Sequence, residues 1–264
     1  MRGRTVGVVL VAGTLVLSAC SSSSNSSSSN KLTVFAAASL TKVFPEIGAK
    51  FSQAHPGTTF KYSFGGTDTL AAQIQQGAPA DVFAGASTKY GDELSSKGLI
   101  DTPQNFCTNT LVVVVPASNP AKIKSPKDLS QSGIKLVIGD ASVPIGSYTR
   151  EVLTNLDSIY GSGYSDKVLA NVVSEEPDVT SIISKVEAGE ADAGFVYITD
   201  ALAAGSQVKA IMLPTAAQAT AVYPIATVKS SKEATLAQQF VEFVLAPQAQ
   251  SMLKEAGFGP PPSS

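Results

Sequence analysis

The sequence is poor in the side chains on which enzymes and metal centres usually depend. Its 264 residues include one histidine, two cysteines and no tryptophan. No cluster of His, Cys and carboxylate residues has the spacing of metal ligands, so neither a zinc nor an iron site is predicted. A secreted hydrolase acting through Ser39 or another serine would need His55 as its base. Since the chain has no G-x-S-x-G motif, this class has little support.

The N-terminus has the pattern of a signal peptide, predicted over residues 1–19. Arg2 and Arg4 precede an apolar run that is too short to span a bilayer. The run ends at LSAC, which resembles the lipobox of bacterial lipoproteins and predicts lipidation of Cys20. We therefore expect the protein at the outer face of the cytoplasmic membrane, lipid-anchored through Cys20.

Residues 20–30 form the lipidated cysteine and a serine-rich linker, which has no apolar side chain to bury and is expected to be flexible. Lipidation of Cys20 leaves Cys107 as the single thiol, so no intramolecular disulfide is possible. Cys107 adjoins the apolar run LVVVV and is predicted to be a small buried side chain.

Charge and length limit the possible partners and the domain number. Loss of Arg2 and Arg4 leaves 17 of the 19 basic residues against 21 acidic ones, a net charge of −4, which argues against nucleic acid as a partner. About 234 residues follow from Lys31, enough for one large core or two smaller ones.

Short runs rich in Val, Ile and Phe alternate with helical patterns, which is typical of βαβ units. Strands are predicted near residues 32–36, 59–64, 82–85, 111–115, 135–139, 171–174, 193–196, 208–212 and 222–228. Helices are predicted near residues 40–54, 67–76, 87–96, 146–157, 179–188, 197–204, 232–245 and 247–255.

The middle of the chain carries its own set of strands and helices. The backbone is predicted to cross between lobes at LVVVVP, residues 111–116, and at TAVYPIATV, residues 220–228. This gives a two-lobed α/β fold in which residues 31–114 and 222–264 form lobe 1 and residues 115–221 form lobe 2. A ligand in such a fold is expected in the cleft between the lobes.

Four segments place small or turn-forming residues between a strand and a helix. They are FAAASL around Ser39, GGTDTLAAQI around Thr67, GDASVPIGSY around Ile145, and EEPDVTSII around Val179. Ser39 and Thr67 are predicted at helix N-caps, where a side-chain oxygen satisfies a free N–H group. Helix N-termini attract anions, so two such segments from each lobe predict a shared anion site.

Together with GAPADVF and GFVYITDA, these segments resemble the molybdate-binding component of bacterial ABC transporters over essentially the whole mature domain. The resemblance implies a class II periplasmic-binding-protein fold, each lobe a mixed sheet flanked by helices, joined by two hinge crossings. It also implies a protein that is not an enzyme and uses no cofactor, whose ligand is molybdate and also tungstate, and whose partner is a membrane permease. We expect a monomer.

The resemblance also implies the binding residues. Molybdate would be bound by Ser39, Thr67 and the Tyr197 hydroxyl, and by the backbone amides of Ile145 and Val179. Thr67 departs from the family, in which serine is usual, but it keeps the hydroxyl. The oxyanion would be held through its oxygens, with no direct ligand to the metal.

The candidate residues include no Arg, Lys or His, so neutral donors would have to hold the charge. Such donors suit a dianion that only accepts hydrogen bonds, whereas phosphate keeps a proton and favours a site with an acceptor. Asp68 could supply that acceptor, but at the start of a helix it is expected to face solvent.

Sulfate or another tetrahedral oxyanion remains the main alternative ligand, because the sequence does not give the size of the cleft. Iron-binding relatives use adjacent tyrosines, which are absent. Amino-acid binders usually use Arg, and Arg150 lies inside a helix. Pro45 is a second departure from the family, and the first helix is expected to begin near Glu46 after one short turn.

Overall fold

The computed structural model of the protein describes residues 1–3 and 30–263. Cys20, almost all of the predicted signal peptide and the serine-rich linker lie outside the described residues. No helix in the described part of the chain is long and apolar enough to cross a membrane.

The described residues form an α/β protein with strands and α-helices in alternation. The strands are β1 Lys31–Ala37, β2 Thr59–Gly65, β3 Val82–Ala84, β4 Gln104–Pro116, β5 Leu136–Gly139, β6 Val172–Glu176, β7 Ala193–Tyr197, β8 Val208–Met212 and β9 Thr220–Thr227. The α-helices are α1 Val43–Ala54, α2 Thr67–Gln75, α3 Thr88–Ser96, α4 Pro144–Tyr160, α5 Tyr164–Leu169, α6 Val179–Glu187, α7 Ile198–Ala204, α8 Ala234–Leu245 and α9 Pro247–Glu255.

The strands follow the path β2-β1-β3-β9-β4-β7-β5-β6, and β8 pairs with β4 from outside this path. Strand β4 joins the two halves of the sheet. Its residues 104–110 pair antiparallel with β9, whereas residues 111–116 pair with β7 and β8. We call β1, β2, β3 and β9 the first half and β5, β6, β7 and β8 the second half. The two ends of β4 therefore belong to different halves.

The apolar run in β4 lies at the centre of the core. Every residue from Leu111 to Val115 is fully buried, as expected for a strand covered by helices on both faces. In the first half, Phe44 and Phe51 of α1 contact Phe240 of α8 through edge-on aromatic packing. The core therefore holds both halves against the strand that connects them.

All of the predicted strands are present, and the differences lie at element ends. Strand β4 begins at Gln104, seven residues before the predicted start, because Phe106, Cys107 and Asn109 are buried in a segment with only moderate hydrophobicity. Helix α5 was not predicted. It follows two glycines with positive φ, Gly161 and Gly163, a turn after which a helix is difficult to anticipate from periodicity.

The start of α1 differs from the prediction as well. A 3₁₀ turn covers Ala38–Leu40, and α1 begins at Val43 rather than near Glu46. Pro45 lies in the first turn of α1, where a backbone N–H would have no helical acceptor, so it does not interrupt the helix.

Candidate functional site

The five residues predicted to bind the ligand line a single cavity between the halves of the sheet. The cavity is small, with a volume of about 20 Å³, far below the roughly 300–1,000 Å³ of sites for drug-sized ligands. Its lining consists of Ala37, Ala38, Ser39, Gly65, Gly66, Thr67, Ala86, Val143, Pro144, Ile145, Asp178, Val179 and Tyr197. Small residues dominate the wall formed by the first half, which lets a ligand approach the backbone.

Ser39 is 8% exposed, and its Oγ lies 2.8 Å from Oη of Tyr223. The prediction that Ser39 caps a helix is wrong. It lies within the 3₁₀ turn, and the residue at the N-cap is Ala37, which makes no side-chain capping bond. The hydroxyl is therefore engaged with Tyr223 in the core rather than with its own helix.

Thr67 is almost fully buried, and it is also not an N-cap. Gly66 holds that position, and Thr67 is the first residue of α2. Its Oγ1 accepts a hydrogen bond from the Ala86 N–H at 3.0 Å. Because the oxygen accepts from the backbone, the hydroxyl hydrogen remains available for a group in the cavity.

Ile145 and Val179 lie in the first turns of α4 and α6, where backbone N–H groups have no helical acceptor. Pro144 opens α4 and supplies no N–H of its own. The Asp178 carboxylate caps α6 by accepting from the Ser181 N–H at 2.9 Å, so this acidic side chain is held by its own helix.

Tyr197 lies at the end of β7, and its side chain is the most informative one in the cavity. It is 2% exposed, and Oη has no hydrogen-bond partner among the described residues. Burial raises the pKa of Tyr197 well above its usual value, so the phenol keeps its proton. An unpaired buried donor costs about 1–3 kcal/mol, which makes a ligand in the cavity its natural partner.

The expectation that Asp68 faces solvent is wrong for one of its oxygens. Oδ1 is buried without a hydrogen-bond partner among the described residues, and Oδ2 accepts from the Thr69 hydroxyl at 3.3 Å. A Cβ added at Gly66 would lie 2.6 Å from Oδ1, so the carboxylate packs beside the Gly66 backbone. Asp68 is not among the residues that line the cavity.

The cavity lining contains no basic side chain. Arg150 donates to the carbonyl oxygens of Gly139 and Gly146, each at 3.0 Å, and forms an ion pair with Glu175. It therefore supports the start of α4 instead of facing a ligand. Any negative charge in the cavity would be stabilised by neutral hydroxyl and amide donors.

Asn109 and Tyr223 were not singled out from the sequence, although they adjoin the cavity. Tyr223 is fully buried, Asn109 is 2% exposed, and Nδ2 of Asn109 lies 3.4 Å from Oη of Tyr223. Asn109 lies between two threonines, and the apolar residues Cys107 and Leu111 are two positions away on the same face of the strand. The available signal was this polar side chain on an otherwise apolar face.

The structure offers no support for a hydrolase. His55 ends α1, and its ring stacks on Phe51 at 4.0 Å between centroids. The twelve residues of α1, about 18 Å of helix, separate it from the turn that carries Ser39. No group of three or more His, Cys, Asp or Glu residues in the described part of the chain could hold a metal ion. Cys107 is buried and unpaired as predicted, and burial raises the pKa of its thiol.

Comparison with known proteins agrees with this fold. The family model described as bacterial extracellular solute-binding protein matches residues 32–259. The molybdate-binding protein ModA of Mycobacterium tuberculosis is 41% identical over 261 residues, covering 97% of this chain and 96% of the relative. The putative ABC transporter substrate-binding lipoprotein YvgL of Bacillus subtilis is 32% identical over 264 residues, which cover 96% of this chain and 97% of the relative.

Among solved structures, the periplasmic molybdate-binding protein of Azotobacter vinelandii is similar with a TM-score of 0.77 and 26% identity, covering 88% of this chain and 100% of that chain. The likeness confirms the predicted two-lobed fold of periplasmic binding proteins. A family defined by solute binding also confirms that the protein is not an enzyme. The chain belongs to the family of bacterial extracellular solute-binding proteins.

Proposed function

We propose that this protein captures molybdate, and also tungstate, in the cavity between its lobes and delivers it to the permease of an ABC transporter. Ser39, Thr67 and Tyr197 bind the oxyanion through hydroxyl groups, and Ile145 and Val179 bind it through backbone amides. The ligand is cargo, and no protein atom bonds directly to the metal.

The observation that carries the proposal is the unpaired Tyr197 hydroxyl at the wall of the cavity. Its raised pKa keeps it a hydrogen-bond donor at neutral pH. The Thr67 hydroxyl also has a free hydrogen, since its oxygen already accepts from Ala86. A tetrahedral dianion that is fully deprotonated accepts from all of these donors and requires no acceptor in return.

The donor set suits either dianion, and molybdate is favoured over sulfate because the relatives with the higher identities are molybdate-binding proteins. The relative with 41% identity and the structural neighbour with 26% identity are both molybdate-binding proteins. Tungstate presents the same charge and tetrahedral shape. Sulfate is therefore the competing ligand that a binding experiment has to exclude.

Capture and delivery require the lobes to move. Strand β4 changes partners between Thr110 and Leu111, and β9 pairs with β4 from Thr220 onward. We place the hinge in these two strands, close to the predicted crossings, with residues 31–114 and 222–264 in one lobe and 115–221 in the other. A lipid on Cys20 would keep the protein beside its permease, and the Bacillus subtilis relative is named a lipoprotein.

The test is a calorimetric and thermal-unfolding series on the mature chain carrying Cys20→Ala. Molybdate and tungstate should raise the unfolding temperature, with about 2.7 kcal/mol of stabilisation at a hundredfold excess over the dissociation constant. Sulfate and phosphate should have little effect. An equal or stronger response to sulfate or phosphate would show that the proposed ligand is wrong.

Thr67→Ala tests the placement of the ligand within the cavity. It removes one donor to a charged ligand, a loss of about 1.5–3 kcal/mol in binding. Thr67→Ser keeps the hydroxyl and should bind nearly as tightly as the wild type. If both variants bind like the wild type, the ligand does not contact Thr67.

Anchoring is tested separately in cells. The wild-type chain should partition with membranes and carry a lipid mass on Cys20, whereas Cys20→Ala should be released. A wild-type chain that is recovered without lipid would refute the anchor and leave the binding proposal unaffected.

A further inference from the structure

We propose that Asn109 and Tyr223 form a hydrogen-bond chain that fixes the Ser39 hydroxyl as a donor toward the cavity. The chain would make the site prefer fully deprotonated oxyanions to protonated ones. The inference rests on the proposed function and explains how the site rejects a protonated anion of similar shape and charge.

The donor-to-acceptor direction of the hydrogen-bond chain is fixed at Asn109, because the orientation of its side-chain amide is determined by its neighbours. Oδ1 of Asn109 accepts from the Thr110 N–H at 3.0 Å. Exchanging the two amide atoms would point two donors at each other, so Nδ2 must be the atom that faces Thr199 and Tyr223. Nδ2 lies 2.8 Å from Oγ1 of Thr199 and 3.4 Å from Oη of Tyr223, one contact for each of its hydrogens.

Tyr223 must therefore pass its own hydrogen on to Ser39. An amide nitrogen cannot accept, so Oη of Tyr223 can only receive a hydrogen from Asn109. Ser39 and Asn109 are the groups that meet hydrogen-bond geometry with Oη of Tyr223 among the described residues, and of these only Oγ of Ser39, at 2.8 Å, can accept. Burial raises the pKa of Tyr223 well above its usual value, which keeps the hydrogen in place.

Ser39 receives a hydrogen from Tyr223, and its own hydrogen has no other acceptor within hydrogen-bond distance among the described residues. Since Ser39 also lines the cavity, that hydrogen is available to the ligand. The members of this hydrogen-bond chain are at least nine-tenths buried, so water does not compete with their bonds. They are Ser39, Asn109, Thr199 and Tyr223. The Thr67 hydroxyl is oriented in the same way, because its oxygen accepts from the Ala86 N–H and leaves its hydrogen for the ligand.

Hydrogen phosphate needs at least one acceptor for its proton, whereas molybdate needs none. A Ser39 hydroxyl that was free to turn could accept the proton of hydrogen phosphate. Tyr223 thus acts as a positioning residue, because it does not line the cavity and acts on the ligand through Ser39.

The experiment compares molybdate affinity with competition by hydrogen phosphate at pH 8. Calorimetry gives the dissociation constant of molybdate for the wild type, Tyr223→Phe, Ser39→Ala and the double variant. Excess phosphate is then titrated against bound molybdate. Tyr223→Phe should weaken molybdate binding about three- to tenfold, and it should weaken hydrogen phosphate less, so that phosphate competes more effectively.

The double variant separates positioning from a general effect of the substitution. If Tyr223 acts through Ser39, Tyr223→Phe should change binding by less than about twofold in the Ser39→Ala background. Tyr164→Phe is the matched control, because its buried hydroxyl donates to the Pro126 carbonyl away from the cavity. It should bind both anions like the wild type.

A second variant keeps the test decisive if Tyr223→Phe fails to fold. Asn109→Asp has the same shape but replaces the donor by an acceptor, which would draw the Tyr223 hydrogen away from Ser39. Its added charge repels both dianions, so the molybdate-to-phosphate preference is the quantity to compare, and it should fall.

The inference is overturned by an unchanged preference in Asn109→Asp. It is also overturned if Tyr223→Phe weakens molybdate binding by the same factor in the wild type and in the Ser39→Ala background. A wild type that prefers sulfate would refute only the proposed ligand, and the chain would then be tested with sulfate against hydrogen phosphate. A wild type that binds no oxyanion would refute both.

Discussion

Tyr197 combines two properties that a purely structural tyrosine rarely has, burial and a hydroxyl without a partner. Tyr197→Phe should therefore weaken molybdate binding by about 1.5–3 kcal/mol, because it removes a hydrogen bond to a charged ligand. The unliganded protein should be no less stable, because the substitution also removes an unsatisfied polar group. Calorimetry measures the first effect and thermal unfolding without ligand measures the second.

Tyr164→Phe should show the opposite pattern, with lower stability and unchanged binding, because its hydroxyl is paired with Pro126. A Tyr197→Phe protein that lost stability but kept its affinity would mean that Oη serves the fold and not the ligand.

Asp200 makes the stability of the protein depend on pH. It accepts the backbone N–H of Tyr197 at 3.1 Å, and burial raises its pKa to about 7. The unfolded chain loses this proton near pH 4, so the folded protein holds more protons between pH 4 and 7. The contribution of Asp200 to stability is therefore largest at low pH and is lost as the pH rises toward 7.

Asp200→Asn should remove this dependence while keeping an acceptor for Tyr197. At pH 8 we expect it to be more stable than the wild type by about 1–2 kcal/mol, a conservative value because the residue as a whole is not fully buried, and at pH 4 the difference should vanish. Urea unfolding at several pH values measures the difference. The exposed Asp92→Asn serves as the control, and identical curves for Asp200→Asn and the wild type would contradict the assignment.

The N-termini of α2, α4 and α6 meet around the cavity, and those of α4 and α6 could be located from the sequence because of their turn chemistry. Pro144 opens α4 and Asp178 caps α6, as their residue types indicate. The predicted roles of the two hydroxyl residues as helix caps were wrong. Ser39 and Thr67 were assigned to helix caps, but they bond to Tyr223 and Ala86, because tertiary partners replaced the local ones.

Long-range partners explain what the sequence did not reveal. Tyr223 lies in an apolar strand 184 residues from Ser39, and no local pattern joins the two. Likewise, the early start of β4 depends on pairing with β9, a strand that lies beyond the whole second half in the sequence. Motif spacing predicted residues that line one cavity, but not the layer of buried polar residues behind them.

The close approach of α2 to the second half of the sheet depends on Gly66. A Cβ at this position would lie 2.5 Å from the Pro177 carbonyl and 3.5 Å from Val143, both in the second half. The backbone of Gly66, φ −60° and ψ 135°, is accessible to alanine. The Asp68 carboxylate oxygen, 2.6 Å from such a Cβ, is the end of a side chain that can rotate away, so the remaining strain against the Pro177 carbonyl arises when the halves close.

Gly66→Ala should therefore lower affinity at least tenfold and leave the unfolding temperature of the ligand-free protein nearly unchanged. Calorimetry and thermal unfolding together measure this. A ligand-free protein that was destabilised as strongly as its complex would show that the contact persists in the open form.

At least one direct hydrogen bond outside the cavity connects elements of the two halves of the sheet. The Tyr90 hydroxyl, on α3, donates to the carbonyl of Ser142, which precedes α4. Neither residue lines the cavity. The bond thus connects elements of the two halves of the sheet and can form only when they are close, which makes it a contribution to the closed state alone.

Tyr90→Phe should shift the ligand-free protein toward the open state and weaken molybdate binding about two- to tenfold, the equivalent of one ordinary hydrogen bond. Because the bond would form after the ligand enters, the dissociation rate should rise more than the association rate falls. Stopped-flow kinetics separates the rates, and small-angle scattering should show that the variant needs more molybdate to become compact. If the variant releases molybdate at the wild-type rate and becomes compact at the same molybdate concentration, Tyr90 does not stabilise the closed state. The contacts of Ser39, Thr67 and Tyr197 with the anion would then account for closure.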